Sequence, residues 1–337
     1  MIKKIFSLIL CLLFTAGISR GQDHLYSQFY NSPNYLNPAL NGQFEGSMRM
    51  NLIYRSQWTN IPGPLNYYSF SMDFNIPRLN GGLGLLFTKS SEGTAYLDKI
   101  NIAGIYSYSA ELNNGALSFG LQAGMTNRKV DQGRLVYLDQ LNDQGIIPGG
   151  TSAGALPELN NRFFFDAGAG VNLVLGDMMI GASGQHLNKP NESLSGGTSP
   201  LPIRFNTYAS WKITLNPYID ESPSVIPSVV FNTQAGVNNF SAGMQYKNKG
   251  VNVGLWYRGT GQQNDAIVVS VIFDLFGRDG NDKTRLGLSH DITTSSLPYS
   301  KTAGSTEGAL SYETTFPGHG KYDYVRRSDG NRCYDFY

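Results

Sequence analysis

Apolar and polar residues alternate one by one along most of this chain, and the clearest example is GVNVGLWYRGTGQQNDAIVVSVIFDLF, residues 250–276. The first run has an apolar side ending at Tyr257 and a polar side ending at Arg258, and the second run has Asp274 on its polar side. A period of two residues is the period of a β-strand. At about 3.3 Å per residue, a tilted strand of this length can cross the apolar core of a bilayer. We therefore interpret this stretch as one hairpin of a transmembrane β-barrel.

The same alternation recurs along the chain and predicts about fourteen strands, an even number of the kind that bacterial single-chain barrels have. Besides the two strands of the hairpin, the predicted strands are 48–57, 68–76, 82–88, 100–110, 117–126, 162–175, 178–186, 203–215, 225–233, 240–247, 283–293 and 308–316. The predicted fold is all-β, a transmembrane antiparallel up-and-down barrel. A soluble β-sandwich or propeller is the competing fold, but its outward faces should be polar, whereas nearly every strand here has one apolar, aromatic face.

The lengths of the connections between strands agree with a barrel in an outer membrane. The short connections 78–80, 113–114, 176–177 and 248–249 alternate with longer ones, so all of them fall at one end of the barrel. The long polar stretches 129–161 and 188–202 fall at the other end. Such barrels have short periplasmic turns and long outer loops, so we predict that these two loops face outward. The connection 216–224 is a longer periplasmic turn than the rule favours.

The first residues read as a secretory signal, with Lys3 and Lys4 before an apolar stretch and small residues at Ser19 and Gly21. We expect cleavage to leave Gln22 as the first residue of the mature chain. The predicted organisation is a signal peptide (1–21), an N-terminal irregular segment (22–45), the barrel (46–317) and a periplasmic C-terminal tail (318–337). After cleavage Cys333 would be the remaining cysteine, with no partner for an internal disulfide.

The segment 22–45 cannot join the sheet as a regular strand, because Pro33 and Pro38 remove backbone donors. It is also rich in Tyr and Phe, which bury about 150–250 Å² each in protein interiors. We predict that it packs at the periplasmic mouth or against the wall of the lumen.

The composition excludes some classes of protein but does not identify a function. The net charge of +1 argues against a nucleic-acid-binding protein, which would carry a basic surface. Charged residues make up 15% of the chain, below the ~25% of soluble domains. On the predicted register, several charges face the lumen, and they form either a paired polar network or an anion or solute path. They are Arg49, Arg55, Arg204, Arg258, Arg285, Asp73, Asp166, Asp274 and Asp291.

Motifs of enzyme and metal chemistry are weak in the sequence. No H-E-x-x-H or C-x-x-C occurs, and the four histidines are scattered. G-x-S-x-G occurs at 17–21, inside the predicted signal peptide, and at 150–154, inside a long polar stretch, and neither place is the strand-to-helix turn that this motif needs. Ser289, His290 and Asp291 are adjacent, but neighbours on a strand point to opposite faces and cannot form a triad among themselves. We predict a protein that is not an enzyme and needs no cofactor or metal. A lipid-active enzyme would have to assemble its site from residues distant in sequence.

The beginning of the predicted mature chain resembles the opening of the PorP/SprF family. The residues that carry the resemblance in the N-terminal segment are Gln28, Phe29, Asn31, Pro33, Asn37 and Pro38, together with YRSQW at 54–58. GLSHDITT at 287–294 and the ending on Arg332, Cys333 and a final aromatic residue resemble the end of that family. Two departures are His24, where a proline is common, and Tyr312, where a histidine is frequent.

The resemblance implies an outer-membrane barrel of the type IX secretion system of Bacteroidetes, associated with gliding motility or with holding a secreted adhesin at the cell surface. It implies outer-membrane lipid, a secreted cargo protein with a C-terminal sorting domain and periplasmic secretion components as partners, and no nucleic acid. Because binding sites lie on loops held by a rigid scaffold, the candidate partner-binding residues are those of the long loops. They are Asp139, Asn142, Asp143, Gly149, Gly150, Asn191 and Glu192. A porin or small-solute transporter is the alternative function.

Overall fold

The computed structural model describes residues 21–316 except 64, 95–96, 144, 147–158, 217, 219–221, 262 and 278–281. The predicted signal peptide up to residue 20, the predicted tail 318–337 with Cys333, and the candidates Gly149 and Gly150 lie outside the described residues. No helix in the described part of the chain has the length and apolar character that a membrane crossing requires.

Fourteen antiparallel strands form one closed barrel. They are β1 Met48–Gln57, β2 Leu65–Ile76, β3 Gly81–Glu92, β4 Leu97–Leu112, β5 Gly115–Val130, β6 Arg162–Leu175, β7 Met178–Gln185, β8 Arg204–Trp211, β9 Ser224–Gln234, β10 Val237–Asn248, β11 Val251–Gly259, β12 Asn264–Phe276, β13 Asp282–Thr293 and β14 Ser305–Thr314. Each strand pairs with the next in sequence, and β1 closes the barrel by pairing with β14 over Met48 to Gln57. The short stretch Ile213–Thr214 prolongs the line of β8 and also pairs with β9.

The predicted fold and the strand count are confirmed. The observed bounds of β6 coincide with the prediction, whereas β2 begins at Leu65 rather than at residue 68 and β4 spans Leu97–Leu112 rather than 100–110. The last strand was predicted at 308–316 and is observed at Ser305–Thr314. The prediction was wrong there because Thr306 is polar on the outward face, so the apolar alternation stops before the strand does.

The two faces of the barrel wall differ as the alternation requires. On β11, the outward Leu255 is 57% exposed, whereas its neighbour Trp256 points inward and is 3% exposed. The same holds for the outward Phe273 and the inward Asp274 on β12. Apolar side chains thus cover the outside of the barrel on strand after strand, which is the face that a lipid bilayer stabilises.

The two ends of the barrel are unequal. At one end, here called the short-turn end, the connections are 77–80, 113–114, 176–177, 215–223, 249–250 and 277–281. At the other, the long-loop end, β5 and β6 are joined by residues 131–161 and β7 and β8 by residues 186–203. The loop 131–161 includes a small hairpin in which Leu141–Asn142 pairs with Gly145–Ile146. This distribution agrees with the predicted one.

Residues 22–45, here called the lumen segment, lie inside the barrel. They include a 3-10 helix at Phe29–Asn31, one turn of α-helix at Pro33–Leu36 and a second 3-10 helix at Pro38–Leu40. Proline suits the first position of a helix because its fixed φ matches and its missing N–H would be unpaired there. Asn37 supports the last turn, since its side-chain oxygen accepts a hydrogen bond from the Ala39 N–H at 2.9 Å.

The hydrophobic core of the molecule lies in the lumen. It joins apolar residues of the lumen segment to inward-facing apolar residues of the wall. The members are Phe29, Tyr30, Leu36, Leu40, Val174, Met179, Tyr208, Val230, Trp256, Val268 and Ile272. Burying each large side chain of this kind contributes about 1.5–3 kcal/mol, so the lumen segment is held by packing as well as by polar contacts.

Candidate functional site

The lumen segment crosses the barrel from the long-loop end to the short-turn end. Its beginning, at Asp23, contacts Lys99 at the start of β4 and His186 just after β7, both at the long-loop end. Its other end is at the short-turn end, where the Gly42 N–H donates to Asp73 near the end of β2 at 2.8 Å. The predicted packing against the lumen wall is therefore confirmed, and only the last residues of the segment lie near the opposite mouth.

At the long-loop end, the carboxylate of Asp23 is surrounded by donors from the barrel wall. Lys99 Nζ lies 2.9 Å from one oxygen, and His186 Nε2 and Gln234 Nε2 lie 2.7 and 2.8 Å from the other. The Asp23 N–H donates to Gln234 Oε1 at 2.8 Å. His186 is fixed from behind, because its Nδ1 lies 2.9 Å from both carboxylate oxygens of Asp166.

These contacts shift the titration of the two partners in opposite directions. Burial alone would lower the pKa of His186, but the carboxylates of Asp23 and Asp166 raise it to about 9. Burial alone would raise the pKa of Asp23, but Lys99 and His186 hold it well below its ordinary value. At neutral pH both groups are therefore charged, and the contact is an ion pair.

A second charged anchor lies further along the segment, at Ser27 and Gln28. The Ser27 and Gln28 N–H groups donate to the two oxygens of Glu307 at 2.6 and 2.9 Å. Arg55 bridges Glu307 and Asp291, with its Nη1 lying 2.9 Å from Asp291 Oδ2. A buried carboxylate needs this degree of compensation, because an unpaired charge in the interior would cost several kcal/mol.

The inward arginines named from the sequence are paired rather than aligned along an open path. Arg49 pairs with Asp73 at 2.7 Å and Arg285 with Asp274 at 2.7 Å. Arg258 pairs with Asp265 and Asp291, and Arg204 donates to the hydroxyl of Tyr35 at 2.7 Å. Of the two interpretations left open by the sequence, the structure shows the paired polar network for these residues.

In the middle of its path the segment fits against glycines of the wall. A Cβ added to Gly120 would lie 2.2 Å from the backbone of Pro38 and Ala39, and one added to Gly170 would lie 1.9 Å from Asn37 Oδ1. Asn37 also donates to the Tyr208 hydroxyl at 3.0 Å. The wall and the segment are thus complementary in shape, and the glycines make room for a backbone that passes through the lumen.

All six residues of the N-terminal motif are buried in this interface. Gln28 Nε2 donates to the Ser289 hydroxyl at 3.1 Å, and Asn31 Nδ2 donates to Gln28 Oε1 at 2.9 Å. Phe29 packs edge-to-face on Trp256, with ring centroids 5.1 Å apart. The motif therefore describes residues that dock the segment, with Asn37 and the two prolines shaping its turns.

His24 lies between aromatic rings, at the departure from the family pattern. It stacks on Tyr67 with ring centroids 4.0 Å apart and on Tyr35 at 5.1 Å, and Tyr26 meets it edge-on at 4.9 Å. Burial lowers the pKa of His24 well below its ordinary value, so the ring is neutral at physiological pH. It acts as a packing residue among tyrosines.

A cavity of about 50 Å³ lies beside the Asp23 contact, within the lumen. Its lining includes Asp23, Lys99 and His186. Polar, uncharged residues line it as well, among them Thr88, Ser90, Asn101, Gln122 and Thr126. A polar space of this size is large enough for ordered water.

The two long loops are joined at their bases. Arg128 at the end of β5 pairs with Glu192 at 2.9 Å, and Arg162 at the start of β6 donates to the carbonyl oxygen of Asn191 at 3.2 Å. The Asn160 N–H donates to the Leu194 carbonyl at 3.0 Å. The described parts of the two loops are therefore in contact at the long-loop end.

The predicted partner-binding residues fall into two groups on these loops. Asp139, Asn142 and Asp143 are exposed on the loop 131–161. Asn191 shapes its own loop, because its side-chain oxygen accepts hydrogen bonds from the Ser193 and Ser199 N–H groups, and Glu192 holds Arg128. Asp23, Lys99, His186 and Glu307 were not identified as site residues from the sequence. The contacts of these residues form only on folding, since Asp23 and His186, for example, are 163 positions apart.

A closed fourteen-strand barrel with an apolar outer face and a filled lumen defines a class, the outer-membrane β-barrels. Within that class, this chain belongs to the PorP/SprF family: the model of the type IX secretion system membrane protein PorP/SprF matches residues 18–312. The resemblance seen at the N-terminal motif is thereby confirmed, as is an outer-membrane location. No curated protein sequence matches the chain.

Solved structures of other outer-membrane barrels show a distant likeness. The Pseudomonas putida toluene transporter TodX is 11% identical, with a TM-score of 0.48 covering 87% of this chain and 95% of that one. The CymD monoaromatic hydrocarbon channel is 15% identical, with a TM-score of 0.47 and coverage of 86% and 94%. Acinetobacter baumannii Omp33 is 5% identical, with a TM-score of 0.40 and coverage of 80% and 100%. At these values the likeness says nothing about what this chain binds or transports.

Proposed function

We propose that this protein is a non-enzymatic barrel that supports type IX secretion by holding one exported protein at the cell surface. Membership of the PorP/SprF family supports the link to secretion and to gliding motility. The observation that carries the anchoring role is the pair of long loops, whose described parts Arg128, Glu192 and Arg162 bring into contact at a single end of the barrel.

The exposed side chains of the loop 131–161 suit a protein partner. Leu138 is 86% exposed, and Val136, Leu141 and Ile146 are also exposed on the same loop. Apolar side chains grouped on one surface loop are characteristic of protein-binding sites, especially when polar residues such as Asp139 and Asp143 border them. The cargo would dock on this surface, and the rest of the barrel would act as its anchor in the membrane.

The filled lumen argues for this role over the porin or solute transporter. A transporter needs a continuous path, whereas the lumen segment packs Phe29 and Leu36 against the wall and passes from one mouth to the other. Its contacts are charged at one end, with Lys99 and Glu307, and closely fitted in the middle, at Gly120. The segment would have to leave before a solute of any size could pass.

Surface proteomics of three strains tests the anchoring role. Deleting the gene should leave most type IX cargo secreted and should remove one partner protein from the surface. Trimming 139–154 should cause the same loss with the barrel still assembled, whereas trimming Ser295 to Leu297, on another loop of the same end, should not. Loss of all cargo together would make the protein a core secretion component. An unchanged surface in every strain would contradict anchoring and favour a solute pore.

A further inference from the structure

The contact around Asp23 has the composition of a carboxylate-binding site. Its donors are an ammonium group from Lys99, a ring N–H from His186 and an amide N–H₂ from Gln234, at 2.9, 2.7 and 2.8 Å from the carboxylate oxygens. All three belong to the barrel wall, on β4, after β7 and on β9, whereas the carboxylate belongs to the lumen segment. Charge-assisted hydrogen bonds of these lengths are among the stronger polar contacts in proteins.

Two of the three wall donors, His186 and Gln234, are held by partners other than Asp23. His186 and Gln234 are 7% and 5% exposed, and Asp166 orients the histidine ring from the side opposite Asp23. The side chains of Lys99 and Asp23 remain 20% and 16% exposed. His186 and Gln234 are therefore preorganised, and the site is still reachable from the long-loop end.

The residue of the lumen segment that fills this site lies next to its exposed beginning. Residues 22–26 precede the first helical turn of the segment, and Gln22 is exposed. Among the described residues, one further side-chain contact, from Asn239 Nδ2 to Gln22 Oε1 at 3.3 Å, holds the chain ahead of Asp23. The next residue, His24, is packed among tyrosines, and the next charged anchor is Glu307 at Ser27 and Gln28. Vacating the site therefore requires movement of Gln22 and Asp23 ahead of a fixed His24.

We propose that Lys99, His186 and Gln234 form a receptor for a carboxylate of the surface partner, and that the chain's own Asp23 occupies it while no partner is bound. The partner would present an acidic residue on an extended stretch of chain, since the site lies at the rim of the lumen beside the long loops. This inference rests on the proposed anchoring function and gives the chemistry of the group that docks.

The internal carboxylate competes with any external one. A group tethered at the site acts at an effective concentration of millimolar or higher, so the wild-type protein binds a free acidic peptide weakly. Removing Asp23 removes the competitor and leaves the wall donors in place. A variant at this position should therefore bind an acidic peptide more tightly than the wild type, which is the opposite of what loss of a simple structural contact produces.

The test uses the purified full-length protein in detergent and the peptide acetyl-Gly-Asp-Gly-amide, with binding followed by saturation-transfer NMR. We expect Asp23→Ala to bind the peptide at least about tenfold more tightly than the wild type. Adding Lys99→Gln to that variant should abolish binding, whereas adding Lys301→Gln, on the exposed turn before β14, should leave it unchanged. The matching peptide with Asn in place of Asp should bind to neither protein.

A second peptide and a replacement variant complete the test. Acetyl-Gly-Gly-Gly with a free C-terminal carboxylate shows whether the site prefers a chain terminus or an acidic side chain, and binding of either supports the proposal. If Asp23→Ala does not assemble, as judged by the gel mobility of unheated protein, Asp23→Asn replaces it. An assembled variant that binds neither peptide, or binds equally with Lys99→Gln, would overturn the proposal and leave Asp23 a structural contact. The surface proteome tests anchoring separately.

Discussion

At the scale of single residues, some glycines of the barrel wall lie where the lumen segment passes close to the wall. Gly120 meets the backbone of Pro38 and Ala39, which cannot move aside as the tip of a flexible side chain could. Gly104, on the neighbouring strand β4, meets nothing within 4 Å of an added Cβ. Gly120 faces inward and leaves room for the segment, whereas Gly104 faces outward and has open space beside it.

We expect Gly120→Ala to destabilise the assembled protein by about 1–3 kcal/mol, because the added methyl group overlaps the backbone of the lumen segment. Gly104→Ala should leave the stability unchanged within about 0.5 kcal/mol. Thermal unfolding in detergent measures both variants. Equal stability of the two would show that the segment does not press against β5 at this position.

The ion pair of His186 predicts a dependence on pH. Because its pKa is raised from 6.5 to about 9, its contribution is complete below pH 6.5 and is lost as the pH rises through about 9. The pKa of Asp23 is lowered, so its contribution is present above 3.8 and is lost as the pH falls further. Docking of the start of the segment is therefore strongest between about pH 4 and 6.5.

A spin label on Gln22→Cys, in a Cys333→Ser background, reports this docking. We expect the label to be immobile at pH 6 and more mobile at about pH 10. In His186→Gln the mobility should be higher at pH 6 and should change less between the two values. If the mobility of the label changes neither with pH nor with His186→Gln, the His186 contact does not hold the segment.

At the scale of elements, the direction of the lumen segment is the least expected feature. The chain enters β1 at the short-turn end, yet residues 22–28 lie at the long-loop end, so the segment runs down the lumen before the first strand runs up the wall. If the long loops face outward, the beginning of the lumen segment is at the cell surface.

Cysteine labelling tests that direction, again with Cys333→Ser. We expect Gln22→Cys and Lys301→Cys to react with a membrane-impermeant maleimide on intact cells, because both positions are exposed at the long-loop end. Arg78→Cys, exposed at the short-turn end, should react only after permeabilisation. Reaction at Lys301→Cys but not at Gln22→Cys would contradict the path of the segment, and the reverse pattern at residues 78 and 301 would invert the barrel.

The sequence predicts the wall far better than the lumen. A strand that faces lipid has an apolar side chain at every second residue. Each strand can therefore be recognised from its own stretch of sequence, as β6 is over Arg162–Leu175. Residues that face the lumen follow no comparable rule of polarity. Trp256 and Ile272 point inward to an apolar core, although the alternation assigns them to a polar face. Contacts such as Ser27 with Glu307 join residues 280 positions apart, and no local pattern can reveal them.

At the scale of the whole molecule, the barrel has a volume that its wall cannot fill. Eight strands enclose a lumen that side chains alone can occupy, and sixteen to eighteen leave an aqueous channel. With fourteen strands, the inward residues here, many of them Ser, Asn and Gly, leave room for a chain to pass. The lumen segment thus stabilises the barrel by packing inside it, and it also blocks the channel.

Removing the barrier should turn the protein into a pore. In planar bilayers we expect the wild type to show no stable ion conductance, since Phe29, Leu36 and Leu40 pack against the wall along the lumen. Deleting 23–40 removes that core and frees the charged wall residues, so the same barrel should then conduct. The gel mobility of unheated protein checks that the variant has assembled. Stable conductance in the wild type would mean that the segment leaves the lumen unaided, and the solute-transport function would then replace anchoring as the better explanation of this fold.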